Sequence, residues 1–261
     1  MFAHRKKPEK RSPLKAPALR NPGQSLDEEI RRLMVEDFTY YLFMAGVFLI
    51  IALMECIHWL SKSPPWPLPY AFIAAAVLVY AGRKAFLIKR KIRNLEQGRE
   101  GEKAVGQYLD KLREEGYQIF HDIVAEGFNL DHVLIGPSGV YAIETKTISK
   151  PSEGEAVVQY DGDKVTVAGL EPDRDPVAQV KSSTVWLQEL IEESTGKKFK
   201  VRPVILYPGW FIEKQPKGAE VWVLNPKALP AFLKNENTAM SNEDVYLVSY
   251  HLSRYVRTCK P

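Results

Sequence analysis

The stretch Leu130-Asp131-His132-Val133-Leu134-Ile135-Gly136-Pro137-Ser138-Gly139-Val140-Tyr141-Ala142-Ile143-Glu144-Thr145-Lys146 decides the fold of the carboxy-terminal part of this chain. Two apolar runs flank Gly-Pro-Ser-Gly, a strong turn signal, so an antiparallel hairpin is predicted. With Pro137 and Ser138 as the central turn residues, Asp131 falls opposite Glu144, with Cβ atoms about 4.5–5.5 Å apart. Glu144 and Lys146 are two residues apart on a strand and share a face. Two carboxylates converging beside one ammonium are costly unless a cation joins them. Oxygen donors select a hard metal, Mg²⁺ or Mn²⁺. Such an ion polarises a phosphoryl oxygen and lowers the pKa of water, while Lys146 orients that water or meets the developing charge. The plainer alternative is a turn-closing Asp131 and a solvent-facing Glu144–Lys146 salt bridge. The otherwise apolar strands weigh against it, because charges at the end of a core hairpin need a reason.

Outward from the hairpin, Gly98 to Glu115 has helical spacing at Val105, Leu109 and Leu112, and Gly116 ends it. A strand is predicted over Tyr117 to Val124. A second hairpin is predicted over Val157–Tyr160 and Lys164–Val167, around Asp161-Gly162-Asp163. A helix opening at Pro176 runs to Glu193, strands follow at Val201–Tyr207 and Glu220–Leu224, and helices at about 226–234 and 242–256. This order specifies an α/β sandwich with a mixed sheet.

The amino-terminal third differs in kind. Residues 1–93 hold 16 Lys+Arg against 7 Asp+Glu, and residues 94–261 hold 20 against 25. Residues 1–24 are basic and proline-punctuated and read as a disordered tail suited to anionic lipid. Ser25-Leu26-Asp27-Glu28 has the pattern of a capping box. Phe38 to Leu60 carries one formal charge, Glu55, near the end marked by Trp59, where it snorkels or pairs with His58. At about 1.5 Å per residue this run crosses the ~30 Å hydrocarbon layer. A turn over Ser61–Pro65 leads to a second, shorter span at about 66–86. Arg83, Lys84, Lys89, Arg90, Lys91 and Arg93 follow it, so the charge bias places both termini in the cytoplasm. The expected divisions are a tail (1–24), a membrane anchor with a basic linker (25–93) and a soluble domain (94–261). Two cysteines, Cys56 and Cys259, exclude a disulfide framework.

The hairpin resembles the core of the nuclease-related domain, NERD, placed in the PD-(D/E)xK superfamily. Gly98-Arg99-Glu100-Gly101-Glu102-Lys103-Ala104-Val105 resembles that family's opening helix, and Asp175-Pro176-Val177-Ala178-Gln179-Val180 its Pro-x-x-Gln helix. The resemblance spans roughly residues 97–225. It implies a restriction-endonuclease-like mixed-sheet sandwich, here preceded by two transmembrane helices. It implies Asp131 and Glu144 as metal ligands, the Thr145 carbonyl completing the shell, Lys146 as the catalytic lysine, Glu102 as an outer ligand and Gln179 orienting water or phosphate. Leu130 stands where the superfamily's first motif has proline. Implied partners are nucleic acid, DNA before RNA, the lipid bilayer and a second copy of the chain.

Weaker signals have plainer readings. His121 and His132 read as surface or core histidines rather than zinc ligands. Lys197, Lys198, Lys200 and Arg202 read as a solvated basic face. Trp210-Phe211 either stacks on bases or packs under the second hairpin. Two functions compete: a membrane-anchored, Mg²⁺- or Mn²⁺-dependent nuclease, and a catalytically silent endonuclease-like binding or scaffold module. The acidic balance of residues 94–261 counts against tight nonspecific duplex binding. A transporter finds no support, since the two spans hold one carboxylate and no polar stripe.

Overall fold

A computed structural model describes residues 18–61, 67–151, 156–213 and 215–258. Most of the basic tail (1–17), the turn at 62–66 and Cys259 lie outside the described residues.

Helix α1 (Gln24–Arg32) runs through a π-helical turn (Leu33–Phe38) into α2 (Thr39–Leu60). Helix α3 (Pro67–Asp110) returns alongside, with Tyr41 edge-on to Tyr80 at 6.0 Å. Two helices, Gln24–Leu60 and Tyr70–Glu115, are long and apolar enough to cross a membrane. No ion pair joins Glu55 to His58 among the described residues.

The predicted helix at 98–115 is no separate element. It is the far end of α3, closed by a 3₁₀ turn (Lys111–Glu115) that stops at left-handed Gly116. With 44 residues α3 is about 66 Å long, and the expected boundary between residues 93 and 94 falls inside it. No proline or glycine pair interrupts Ala81 to Asp110, so nothing local breaks the helix there.

Three strands follow: β1 (Gln118–Ala125), β2 (Phe128–Gly136) and β3 (Gly139–Thr145). A short hairpin, β4 (Val157–Tyr160) and β5 (Val165–Val167), precedes α4 (Pro176–Thr195) and β6 (Val201–Leu206). The chain closes with β7 (Phe211–Ile212), β8 (Trp222–Leu224), a 3₁₀ turn (Pro226–Ala228), α5 (Leu229–Lys234) and α6 (Asn242–Thr258). The main sheet has the order β1-β2-β3-β6-β8, antiparallel through β3 and parallel from β3 to β6 and β8. This is the mixed sheet predicted. Strands β5-β4-β7 form a second sheet, in which the two-residue β7 has no signal of its own in the sequence. Asp161 shapes the β4–β5 turn by accepting from the Asp163 and Lys164 amides, at 2.9 and 2.7 Å.

Helices α4 and α6 cover one face of the main sheet through Val133, Ala142, Leu187 and Val248. The end of α3 and α5 cover the other through Val105, Leu109, Ile143 and Leu229. Each buried Val, Leu or Ile side chain among these contributes about 1.5–3 kcal/mol, and together they fix the strand ends that carry the acidic residues.

Candidate active site

The β2–β3 ladder pairs Gly136 with Gly139 and reaches His132 opposite Ile143. Pro137 and Ser138 are therefore the central turn residues, as predicted, and one further step sets Asp131 opposite Glu144. The ladder stops there because the Thr145 amide donates to Asp131 Oδ2, at 2.7 Å. A residue's carbonyl lies on the same strand edge as its amide, so the Thr145 carbonyl also faces Asp131.

Glu144 is buried at the end of β3. Its Oε1 accepts from Lys146 Nζ at 2.8 Å and from Gln179 Nε2 at 2.7 Å. Gln179 Oε1 in turn accepts from Lys146 Nζ at 2.7 Å. This closed ring permits one amide orientation only, since the opposite one would face NH₂ to the ammonium. Lys146 stays beside β6 because its amide donates to the Leu206 carbonyl at 2.9 Å. Gln179 is placed by the start of α4. Asp175 Oδ1 accepts from the Val177 and Ala178 amides at 2.8 and 3.2 Å, and Pro176 occupies the first turn.

Glu102 arrives from α3 on the other side of the strand ends and is buried. Its helix approaches closely because residue 101 is glycine: a Cβ there would collide with the Thr147 side chain. Burial, then the Asp122 and Glu144 charges, push the Glu102 carboxyl up to about 8; the Gly23 backbone and Lys146 oppose this. Burial also raises Asp131 well above the ordinary range, helped by Glu144 and Glu102. Burial raises Glu144 too, against the pull of Lys146 and Gln179.

These shifts fix a sign. A carboxyl that is a weaker acid folded than unfolded holds a proton that the unfolded chain releases. Its stabilisation is full below about pH 4.5 and is lost as pH rises through 8. The metal-free chain is therefore expected to unfold at lower temperature at pH 8 than at pH 5, and Glu102→Gln to flatten that slope. Thermal unfolding in chelator across this range measures it, and a flat wild-type profile would refute the assignment.

The residues fit a hard divalent ion. Glu144 Oε2 is buried with no partner among the described residues, and Asp131, Glu144 and the Thr145 carbonyl supply only oxygen. No group of three or more His, Cys, Asp or Glu side chains among the described residues forms a ready cage. Two carboxylates with open positions suit Mg²⁺, which keeps several waters and takes substrate phosphate.

The amino-terminal segment reaches this site, where the sequence predicts a disordered tail and a capping box. Gly23, not Ser25, precedes α1, and no side chain of that segment caps the helix. Asp122 of β1 does so instead: its Oδ2 accepts from the Ser25 amide at 3.0 Å and from Arg20 Nε at 2.6 Å. Arg20 also reaches Ser25 Oγ and Glu28. A carboxylate 97 residues away leaves no local trace in the sequence. The one signal available was the single arginine in a run of small and apolar residues, Ala16-Pro17-Ala18-Leu19-Arg20.

His121 and His132 are buried core residues that face each other across β1 and β2, Nδ1 to Nδ1 at 2.9 Å. Trp210 is buried and donates to the Ile148 carbonyl at 3.1 Å, whereas Phe211 is 67% exposed. Lys197, Lys198 and Arg202 are paired with Asp244, Glu192 and Glu236.

No curated protein and no solved structure significantly matches the chain. Residues 97–208, which contain Glu102, Asp131, Glu144, Thr145, Lys146 and Gln179, match the family described as the nuclease-related domain, NERD.

Proposed function

We propose that this chain is a membrane-anchored, Mg²⁺- or Mn²⁺-dependent nuclease that hydrolyses phosphodiester bonds of nucleic acid, DNA before RNA, on the cytoplasmic side of a bilayer. The observation that carries this reading is the Glu144 carboxylate. One oxygen is fixed by Lys146 and Gln179, and the other is buried and without a partner among the described residues. A structural salt bridge would not leave that oxygen without a partner, since a buried acceptor costs about 1–3 kcal/mol unmet.

Asp131, Glu144 and the Thr145 carbonyl would hold a hard divalent ion, which would supply positive charge to a phosphoryl oxygen and acidify water. Lys146, 24% exposed, presents its ammonium to the same space. There it stabilises charge growing on the phosphate or positions the attacking water. Gln179 holds Lys146 and Glu144 in register, so that neither turns away without breaking two hydrogen bonds. Glu102, on α3, stands behind as an outer ligand or an acceptor for water.

The membrane part of the reading rests on exposed apolar surface. Phe43, Ile57 and Phe72 are each more than 60% exposed on the two long helices, a surface suited to lipid rather than water. The basic residues at the span ends orient both termini to the cytoplasm.

The test uses the full chain in detergent or lipid nanodiscs. Linear, nicked, single-stranded and branched DNA and RNA are incubated with Mg²⁺, Mn²⁺ or chelator. Metal-dependent cleavage of at least one substrate is expected. No cleavage together with no metal-induced rise in unfolding temperature would leave the silent scaffold as the answer.

A further inference from the structure

Strand β8 is the free edge of the main sheet, and beside it runs an open groove of about 1400 Å³. Its walls come from α4, the start of β6, residues 210–213 and 215–220, and α5. An added peptide strand is the usual occupant of such an edge. Here the Val223 amide is already taken by Gln215 Oε1 at 3.1 Å, so the ladder a peptide would need is capped.

The charges in the groove point elsewhere. Lys181 is paired with Glu220, and Arg202 with Glu236 while lying 4.7 Å over the Trp222 ring. Lys200, Lys217 and Lys227 are exposed and form no ion pair among the described residues; Glu213 is the one such carboxylate in the lining. The groove is thus locally cationic on a domain that is acidic as a whole. Phe211, 67% exposed, offers an aromatic face on its wall. Ammonium groups with an exposed ring are the elements that hold unpaired nucleotides, phosphates on the cations and a base on the ring. A duplex would have to unstack to use that ring.

The groove is also placed to serve the site. Strand β8 lies two strand spacings from β3, about 10 Å, and the register sets Val223 level with Glu144 through Ile205.

We propose that this groove binds a single-stranded segment of nucleic acid, the continuation of the strand whose phosphodiester enters the Glu144–Lys146 centre. The proposal rests on the nuclease reading for its purpose but not for its detection. The experiment uses the full chain in detergent with chelator, so that nothing is cut. A fluorescent oligothymidylate, the matching duplex and inorganic polyphosphate are titrated against wild type, Lys200→Glu/Lys227→Glu, Phe211→Ala and, as control, Lys198→Glu, an exposed lysine outside the groove lining.

Wild type is expected to bind the single strand more tightly than the duplex. The double charge reversal should weaken binding at least tenfold and lower the salt slope by about 1.4, two contacts at ~0.7 each. Phe211→Ala should weaken the oligonucleotide about 5- to 150-fold and leave polyphosphate unchanged. Lys198→Glu should bind as wild type does. Groove variants that bind like wild type overturn the proposal. So does a loss confined to the charge variant, which leaves only an anion patch. Normal cleavage by groove variants with unchanged binding removes the groove and keeps the nuclease. Groove-dependent binding without cleavage in Mg²⁺ or Mn²⁺ does the reverse.

Discussion

Glu144→Gln is expected to lower metal-dependent cleavage by about 10³-fold or more and to abolish the metal's effect on thermal unfolding. The substitution keeps an acceptor for Lys146 Nζ and Gln179 Nε2 but removes the negative charge that an ion needs beside Asp131. An ion at 100 times its Kd stabilises the fold by about 2.7 kcal/mol. For a domain of this size that is a rise of about 5–10 °C in Tm, and the variant should show none of it. Lys146→Ala separates the two roles. It should lose about 10²–10³ in turnover, the usual effect of removing one group that meets transition-state charge, while still responding to metal. Because Lys146 opposes the upward shift of Glu144, that response should move to higher pH. Paired measurements of turnover and Tm at pH 7 and 8 decide the matter. Cleavage surviving in Glu144→Gln would place the chemistry elsewhere.

Arg20→Ala should be the most destabilising single change in the amino-terminal segment. Arg20 Nε lies 2.6 Å from Asp122 Oδ2, with side chains 9% and 3% exposed. Removing one partner of a buried pair leaves a desolvated charge and costs about 3–5 kcal/mol, or about 6–20 °C in Tm. The released Asp122 charge also adds to the field that raises Glu102, so metal should bind more weakly at neutral pH. Asp122→Asn in the same background should restore much of the loss, giving a double-mutant coupling well above 1 kcal/mol. Asn suits the site because residue 122 has φ 50°, a left-handed conformation that Asn tolerates. Arg32→Ala, at an exposed position, serves as the control. If both arginine variants melt alike, the segment does not brace the domain.

The hairpin was readable from residues 130–146 because its determinants are local. Gly-Pro-Ser-Gly sets the turn, and period-two patterning then fixes which side chains face each other. Asp131 could be placed opposite Glu144 on that ground alone, and the mixed sheet followed from the order of apolar runs. Gln179 needed the resemblance to be noticed, but Asp175-Pro176 already marked the turn of helix that carries it.

The sequence by itself determined the α/β class, the β2–β3 register, the acidic pair and the two long apolar segments, since turn chemistry and periodicity act over a few residues. Only the tertiary structure decided that α3 runs unbroken from an apolar segment to Glu102, that Asp122 caps a helix 97 residues away, that Arg20 pairs with Asp122, and that Phe211 stays outside while Trp210 goes in. Those outcomes depend on which distant surface satisfies a charge or covers a ring. That choice is made by the free energy of desolvating both partners together, a quantity that no window of sequence contains.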